Sequence, residues 1–291
     1  MANTSANLSD QALALFNEGD FQRCLDVALE GLRETPQHPA LLRLAGKAGA
    51  ELGHADATAY LEQAAGNEPE NPDVWRELAD ALLADGRVDE AFGAIERAAA
   101  LRPDDVTALV DLAHVAHASG RTEAGIAYLE QVLERAYGNL DALHGLVEMY
   151  RASGKLESAL DAGRKIVGYT PEDVLAAIDV AELNLALDRL DDAVESFRWL
   201  RDIDDEPDHE VLAYHGMIEA ELRRERWRAA LDLAVDATRV DRFGRTTDVL
   251  AYVVAKVFGA GERPAPPARE VEDALAASRS EHRLLHAGGL R

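Results

Sequence analysis

The sequence lacks most of the features that mark a membrane, secreted or disulfide-stabilised protein. Among 291 residues there is one cysteine, Cys24, which excludes an internal disulfide and any paired-cysteine metal motif. No run of about eighteen apolar residues occurs, so no membrane-spanning helix is expected. The opening residues MANTSANLSD lack the positive region and apolar core of a secretory signal. These absences predict a cytoplasmic protein.

Basic residues are also scarce. There are 30 lysines and arginines against 54 aspartates and glutamates, which gives a formal net charge of −24. Recognition of nucleic acid or of an anionic membrane needs clusters of basic side chains, so both kinds of partner are disfavoured. The same composition also suits proteins of a salt-rich cytoplasm, so acidity alone does not identify a ligand.

What the sequence does contain is a pattern with a period of 34 residues. In the segment VWRELADALLADGR, four apolar residues follow the spacing of one helix face, and Gly86 stands where a helix commonly ends in a left-handed turn. These four are Trp75, Leu78, Ala79 and Leu82. The small residue Ala79 recurs at multiples of 34 as Ala45, Ala113, Val147 and Ala181, and Gly86 recurs as Gly120 and Gly154.

Each unit continues into a second helix that has its own small and large positions. Ala57, Ala91, Ala159 and Ala193 share the small position, which Gly125 fills in one unit. Four residues later stand Leu61, Ile95, Leu129 and Phe197, with Gly163 as the exception. Small residues allow the two helices to approach closely, and large residues fill the space between units. Trp75 and Cys24 are therefore expected to be packing residues.

This pattern resembles the tetratricopeptide repeat, which has a 34-residue unit of two helices. The resemblance implies an all-α, right-handed superhelical solenoid of about seven helix-turn-helix repeats with a C-terminal capping helix. The solenoid is predicted over residues 5–260, a Pro-rich linker over 261–269, and a C-terminal tail that can form a short helix over 270–291. The units are predicted at 5–37, 38–71, 72–105, 106–139, 140–173, 174–210 and 211–244, with a cap at 245–260.

No catalytic signature accompanies the repeats. The sequence has no dinucleotide-binding glycine motif, phosphate-binding loop, nucleophile elbow or HExxH zinc motif. Because repeats fill the chain to about residue 260, we predict a protein-interaction adaptor or scaffold without enzymatic activity or cofactor.

The resemblance also implies where a partner binds. In this family the first helix of each repeat lines a concave groove, and the second, fifth, ninth and twelfth positions of that helix usually face it. The predicted contacts are Arg76, Asp80, His114, His144, Glu148, Arg151, Ile178, Glu182, Leu185, His215, Glu219 and Leu222. Because carboxylates dominate the ninth position, a peptide with basic and apolar side chains is the expected ligand.

Two alternatives remain at this point. His114 and His117 are three residues apart and His144 and Glu148 are four apart, so these four side chains are candidate metal ligands in the groove. The C-terminal tail, with Arg279 and Arg283, permits either docking in the protein's own groove or assembly into a homo-oligomer.

Overall fold

The computed structural model describes residues 2–204, 206–241, 244 and 246–258, with side chains from residue 7 to residue 257. Its described part consists of fifteen helices, without a strand. They are α1 (Ala2–Asn17), α2 (Phe21–Glu34), α3 (Pro39–Glu51), α4 (Ala57–Asn67), α5 (Pro72–Ala84), α6 (Val88–Leu101), α7 (Val106–Ala118), α8 (Thr122–Arg135), α9 (Leu140–Ala152), α10 (Leu156–Tyr169), α11 (Val174–Ala186), α12 (Leu190–Ile203), α13 (Pro207–Arg223), α14 (Trp227–Val240) and α15 (Thr247–Phe258). The predicted linker 261–269 and tail 270–291 lie outside the described residues.

The helices pack in sequence order within two compact units. Unit 1 comprises Met1–Gly145 and unit 2 comprises Leu146–Arg291, so the division falls inside α9. In unit 1 each helix from α1 to α7 packs against the next, and in unit 2 each helix from α10 to α14 does so. The predicted all-α repeat architecture is confirmed. No described helix is long and apolar enough to cross a membrane.

The small residues of the 34-residue pattern lie where two helices touch. Ala45, Ala79 and Ala113 in unit 1 are at most 1% exposed. Cys24 is fully buried, and its burial raises the pKa of the thiol, to which the nearby Asp20 carboxylate adds. Trp75 packs against the core of unit 1, and its indole nitrogen donates a hydrogen bond to the Pro69 carbonyl at 2.9 Å. These residues are structural, as the sequence predicts.

The turn between the two helices of a repeat requires a left-handed backbone. Gly86, Gly120 and Gly154 have φ values of 73°, 78° and 70°, which confirms the left-handed turn predicted at Gly86. In unit 2, Asp188 and Glu225 take this conformation, with φ values of 57° and 58°. A side chain in this region costs about 1–2 kcal/mol. The turn geometry is therefore maintained even where glycine is missing.

Candidate interaction surface

The predicted contact residues all lie on the first helices of the repeats, namely α5, α7, α9, α11 and α13. We call these residues, with their charged neighbours on the same helices and on α3, the first-helix stripe. Its part in unit 1 and its part in unit 2 are described separately below.

In unit 1 the stripe carries ion pairs that join successive first helices. Arg43 on α3 donates to both carboxylate oxygens of Glu77 on α5, at 2.9 and 2.8 Å. Lys47 lies 3.1 Å from the same carboxylate. Arg76 on α5 pairs with Asp111 on α7 at 2.7 Å. The cations of this region are therefore already engaged by carboxylates of the same unit.

Asp80 differs from these paired carboxylates. Its side chain is exposed, and it makes no hydrogen bond or ion pair with any other described residue. Desolvation by the surrounding protein raises the pKa of Asp80, and the Asp111 carboxylate raises it further, while Arg76 opposes the shift. Desolvation also raises the pKa of Asp111. The environment of Asp80 disfavours its ionised form, and a nearby cation would favour that form. Because the carboxylate is also exposed, it is suited to accept a cation from a ligand.

The histidines of unit 1 lie close to the same stripe. His114 is exposed. Its imidazole lies close to Gly145 of α9, because a Cβ atom added to that glycine would be only 3.4 Å from the imidazole Cε1. The ring of His117 lies 3.0 Å from the Thr122 hydroxyl, and His144 is half-buried. Across the described part of the chain, no three or more His, Cys, Asp or Glu side chains gather as metal ligands. The hypothesis of a metal site at His114, His117, His144 and Glu148 therefore gains no support.

In unit 2 the stripe is centred on one arginine. Arg151 on α9 lies 2.8 Å from Asp179 and 3.4 Å from Glu182, both on α11. Glu148, one turn before Arg151, is exposed to solvent. Carboxylates therefore outnumber arginines here, and the stripe of unit 2 is more acidic than that of unit 1.

Four of the predicted contact residues of unit 2 are buried. Ile178, Leu185, His215 and Glu219 are between 1% and 6% exposed. The His215 ring lies 3.0 Å from the Thr246 hydroxyl, and Glu219 pairs with an arginine one turn later in α13. These residues present little surface in this structure, whereas Leu222 is half-buried.

Sequence reasoning missed the residues that complete the ion pairs: Arg43, Lys47, Glu77, Asp111 and Asp179. One signal was available, because Arg43 and Glu77 are 34 residues apart and carry opposite charges at the same repeat position. Residues at the same position of adjacent repeats stack above one another, so such a change of sign predicts a pair.

Comparison with known proteins agrees with the repeat pattern. Two sequence models described as Tetratricopeptide repeat match residues 82–150 and 53–106. A comparison with curated proteins gives no significant match.

Solved structures with a similar fold have low sequence identity to this chain. A tetratricopeptide repeat protein from Parabacteroides merdae is 13% identical with a TM-score of 0.60, over 85% of this chain and 98% of that one. YrrB, described as a TPR protein with an unusual peptide-binding site, is 17% identical with a TM-score of 0.53, over 64% and 94%. MamA from Desulfovibrio magneticus RS-1 is 22% identical with a TM-score of 0.52, over 58% and 97%. Residues 53–150 thus match models of the tetratricopeptide repeat, and the solved structures share the repeat fold of this chain.

Proposed function

We propose that this tetratricopeptide repeat protein is a non-enzymatic adaptor of the cytoplasm, whose first-helix stripe binds a peptide segment of a partner protein. The bound segment carries basic and apolar side chains. The environment of Asp80 is the observation that carries this proposal. A solved protein of the same fold, YrrB, is described as having a peptide-binding site, which is consistent with a peptide ligand.

The preference for a basic side chain follows from electrostatics at Asp80. The carboxylate is exposed and unbonded among the described residues, and two unfavourable effects, desolvation and Asp111, act on its ionised form. A lysine or arginine within about 4–6 Å would favour the charged carboxylate and lower its pKa. Arg76 and Lys47 offset the shift only in part, because each pairs directly with another carboxylate, Asp111 and Glu77 respectively, and the pKa of Asp80 stays raised. Asp80 is therefore the first position at which we expect a ligand cation.

The experiment is a selection from a random peptide library, displayed on phage, on the immobilised full chain. We expect enrichment of peptides with arginine or lysine next to apolar residues. Asp80→Asn should weaken the selected peptides about three- to tenfold, the effect of one partly exposed charge pair. The matched control is Glu96→Gln, which removes one exposed charge from the second helix α6. Enrichment of acidic peptides, or equal losses in both variants, would contradict the proposal.

A second candidate function is self-assembly through the C-terminal tail. The end of the tail, residues 279–291, is basic, since it carries Arg279, Arg283 and Arg291 against Glu281 alone, and this charge is complementary to the carboxylates of the first-helix stripe. Light scattering of the full chain and of a chain ending at Gly261 separates this candidate from the adaptor. Self-assembly predicts a larger particle only for the full chain, and equal masses at all concentrations would remove it.

A further inference from the structure

Unit 2 contains a pocket of about 390 Å³ between α10, α11 and α12. Arg164 and Val167 of α10, Val180 and Asn184 of α11, and Glu195 and Trp199 of α12 form most of its wall. The pocket lies on the side of α11 away from the first-helix stripe. Asn184 follows Glu182 by two residues, which turns it about 200° around the helix. The pocket is therefore distinct from the surface considered above.

Two residues that line the pocket, Asn184 and Val180, depart from the repeat pattern of the first helices. At the position of Asn184 the four preceding repeats have apolar or aromatic residues: Ala48, Leu82, Ala116 and Tyr150. At the position of Val180 those repeats have leucine: Leu44, Leu78, Leu112 and Leu146. A valine has one methylene less than a leucine, and an asparagine brings polar atoms in place of apolar ones. Helix stacking alone requires neither change.

The polar floor of the pocket is held in a fixed geometry. Asn184 is 1% exposed, and its amide nitrogen donates to the Ser196 hydroxyl at 3.1 Å. The Ser196 hydroxyl in turn donates to the Asp192 backbone carbonyl at 2.7 Å. An Arg164 nitrogen lies 3.4 Å from the Asn184 side-chain oxygen and 3.5 Å from the Asp192 carboxylate. A buried asparagine in such a network keeps one orientation.

The charge of the pocket identifies the class of ligand. Arg164 lies beside Asp192 and offsets its charge. Glu195 forms no hydrogen bond or ion pair with any other residue of the described ranges. The three charged residues that line the pocket, Arg164, Asp192 and Glu195, therefore sum to one negative charge. Trp199 lies one helical turn after Glu195, so an indole and a carboxylate share one side of α12. An aromatic ring next to a carboxylate attracts a cation by two independent effects.

We infer that this pocket binds a cationic side chain of a partner protein, with arginine preferred. The planar guanidinium lies over the Trp199 ring and donates to the Glu195 carboxylate, while Val167 and Val180 contact the aliphatic stem. This site is independent of the proposed ligand of the first-helix stripe.

The test uses the full chain with Trp75→Phe and Trp227→Phe, so that Trp199 is the only fluorophore of its kind. The probes are acetylated pentapeptide amides, Gly-Ala-X-Ala-Gly, in which X is arginine, lysine, norleucine or glutamate. We expect a saturable change in Trp199 emission, with the arginine peptide binding about tenfold tighter than the norleucine peptide. Absence of saturation with the arginine peptide, or equal binding of all four, would overturn the inference.

Two variants connect that signal to the pocket. Asn184→Leu places in α11 the residue found at Leu82, so we expect the helical fold to persist while arginine binding is lost. Glu195→Gln keeps the packing and should weaken arginine binding about three- to tenfold. The matched control Asp232→Asn removes one exposed charge from α14, outside the pocket, and should leave binding unchanged. Binding unaffected by Asn184→Leu and Glu195→Gln would mean that the peptide binds elsewhere.

Discussion

Replacement of Glu77 by glutamine tests whether the ion pairs of the first-helix stripe hold neighbouring repeats together. The Glu77 carboxylate accepts two hydrogen bonds from Arg43 and lies 3.1 Å from Lys47. The Glu77 side chain is 15% exposed, and those of Arg43 and Lys47 are 28% and 35% exposed. Water therefore screens this group less than an ion pair on an open surface.

The size of the effect follows from this geometry. Glutamine keeps the shape of glutamate and one acceptor oxygen, but it loses the charge and turns an amide group toward two cations. A hydrogen bond to a charged group contributes about 1.5–3 kcal/mol. Because Arg43 and Lys47 keep part of their surface in water, the lower end of that range applies. We expect Glu77→Gln to reduce the free energy of unfolding by about 1–2 kcal/mol.

The assay is urea denaturation followed by far-ultraviolet circular dichroism and fitted with a nearest-neighbour repeat model. A double-mutant cycle of Glu77→Gln with Arg43→Met should give a coupling free energy of about 1 kcal/mol. The matched control is the pair of Asp73 and Arg102, which is also bidentate, at 2.9 and 3.1 Å, but 48% and 43% exposed. Its coupling should stay below about 0.5 kcal/mol.

Two outcomes of these cycles would refute the reasoning. If both pairs couple equally, burial does not decide the strength of these ion pairs. If the Glu77 cycle gives no coupling at all, the pair exists without contributing to the cohesion of adjacent repeats. Increased salt provides a further check, because it should weaken the exposed control pair more than the pair at Glu77.

Further predictions concern two glycines and the carboxylate of Asp80. Gly216→Ala should destabilise unit 2 by about 1–3 kcal/mol, because the new Cβ would overlap the fully buried ring of Phe197. In Gly168→Ala the new Cβ would meet open space within α10, so we expect this variant to be more stable by about 0.5–1 kcal/mol. Thermal melts should therefore shift the two variants in opposite directions, and a shift of both in one direction would contradict this contrast. The pKa of Asp80 is raised in the folded state, so stability falls as pH rises from the ordinary value of about 3.9 through the folded pKa. Asp80→Asn should therefore raise the free energy of unfolding by about 0.5 kcal/mol at pH 7, and an equal gain at pH 4 would contradict this assignment.

The fold could be predicted from the sequence because helix packing constrains a few positions strongly. Where two helices touch at Ala79, a larger side chain would force them apart, so small residues recur there at the repeat period. Gly86 recurs for a different reason, since its left-handed φ of 73° penalises any side chain. Both constraints are local and independent of the partner, and they are therefore visible in one sequence.

The candidate site was less predictable because exposure depends on residues distant in the sequence. A helical register predicts which face of α13 carries His215, but not that Thr246, 31 residues later, lies against its ring. The register also predicts the position of Glu182 without identifying Arg151, 31 residues earlier, as its neighbour. Which carboxylates stay available to a ligand thus depends on side-chain pairing between repeats, which the spacing within one repeat does not specify.

At one core position of the first helices, buried polar residues distinguish unit 2 from unit 1. Glu221 on α13 corresponds to Asn184 on α11, and both are at most 5% exposed. Glu221 accepts a hydrogen bond from Arg224 at 2.9 Å, and desolvation lowers the pKa of Arg224. A buried ion pair of this kind commonly stabilises a protein no better than well-packed apolar residues of similar volume. Unit 1 has Ala48, Leu82 and Ala116 at this position, so the stacking of repeats does not require polar atoms there. Of these two residues, Asn184 lines the pocket to which we assign a ligand, so our inference gives its polarity a role in recognition, whereas Glu221 is paired with Arg224 within unit 2.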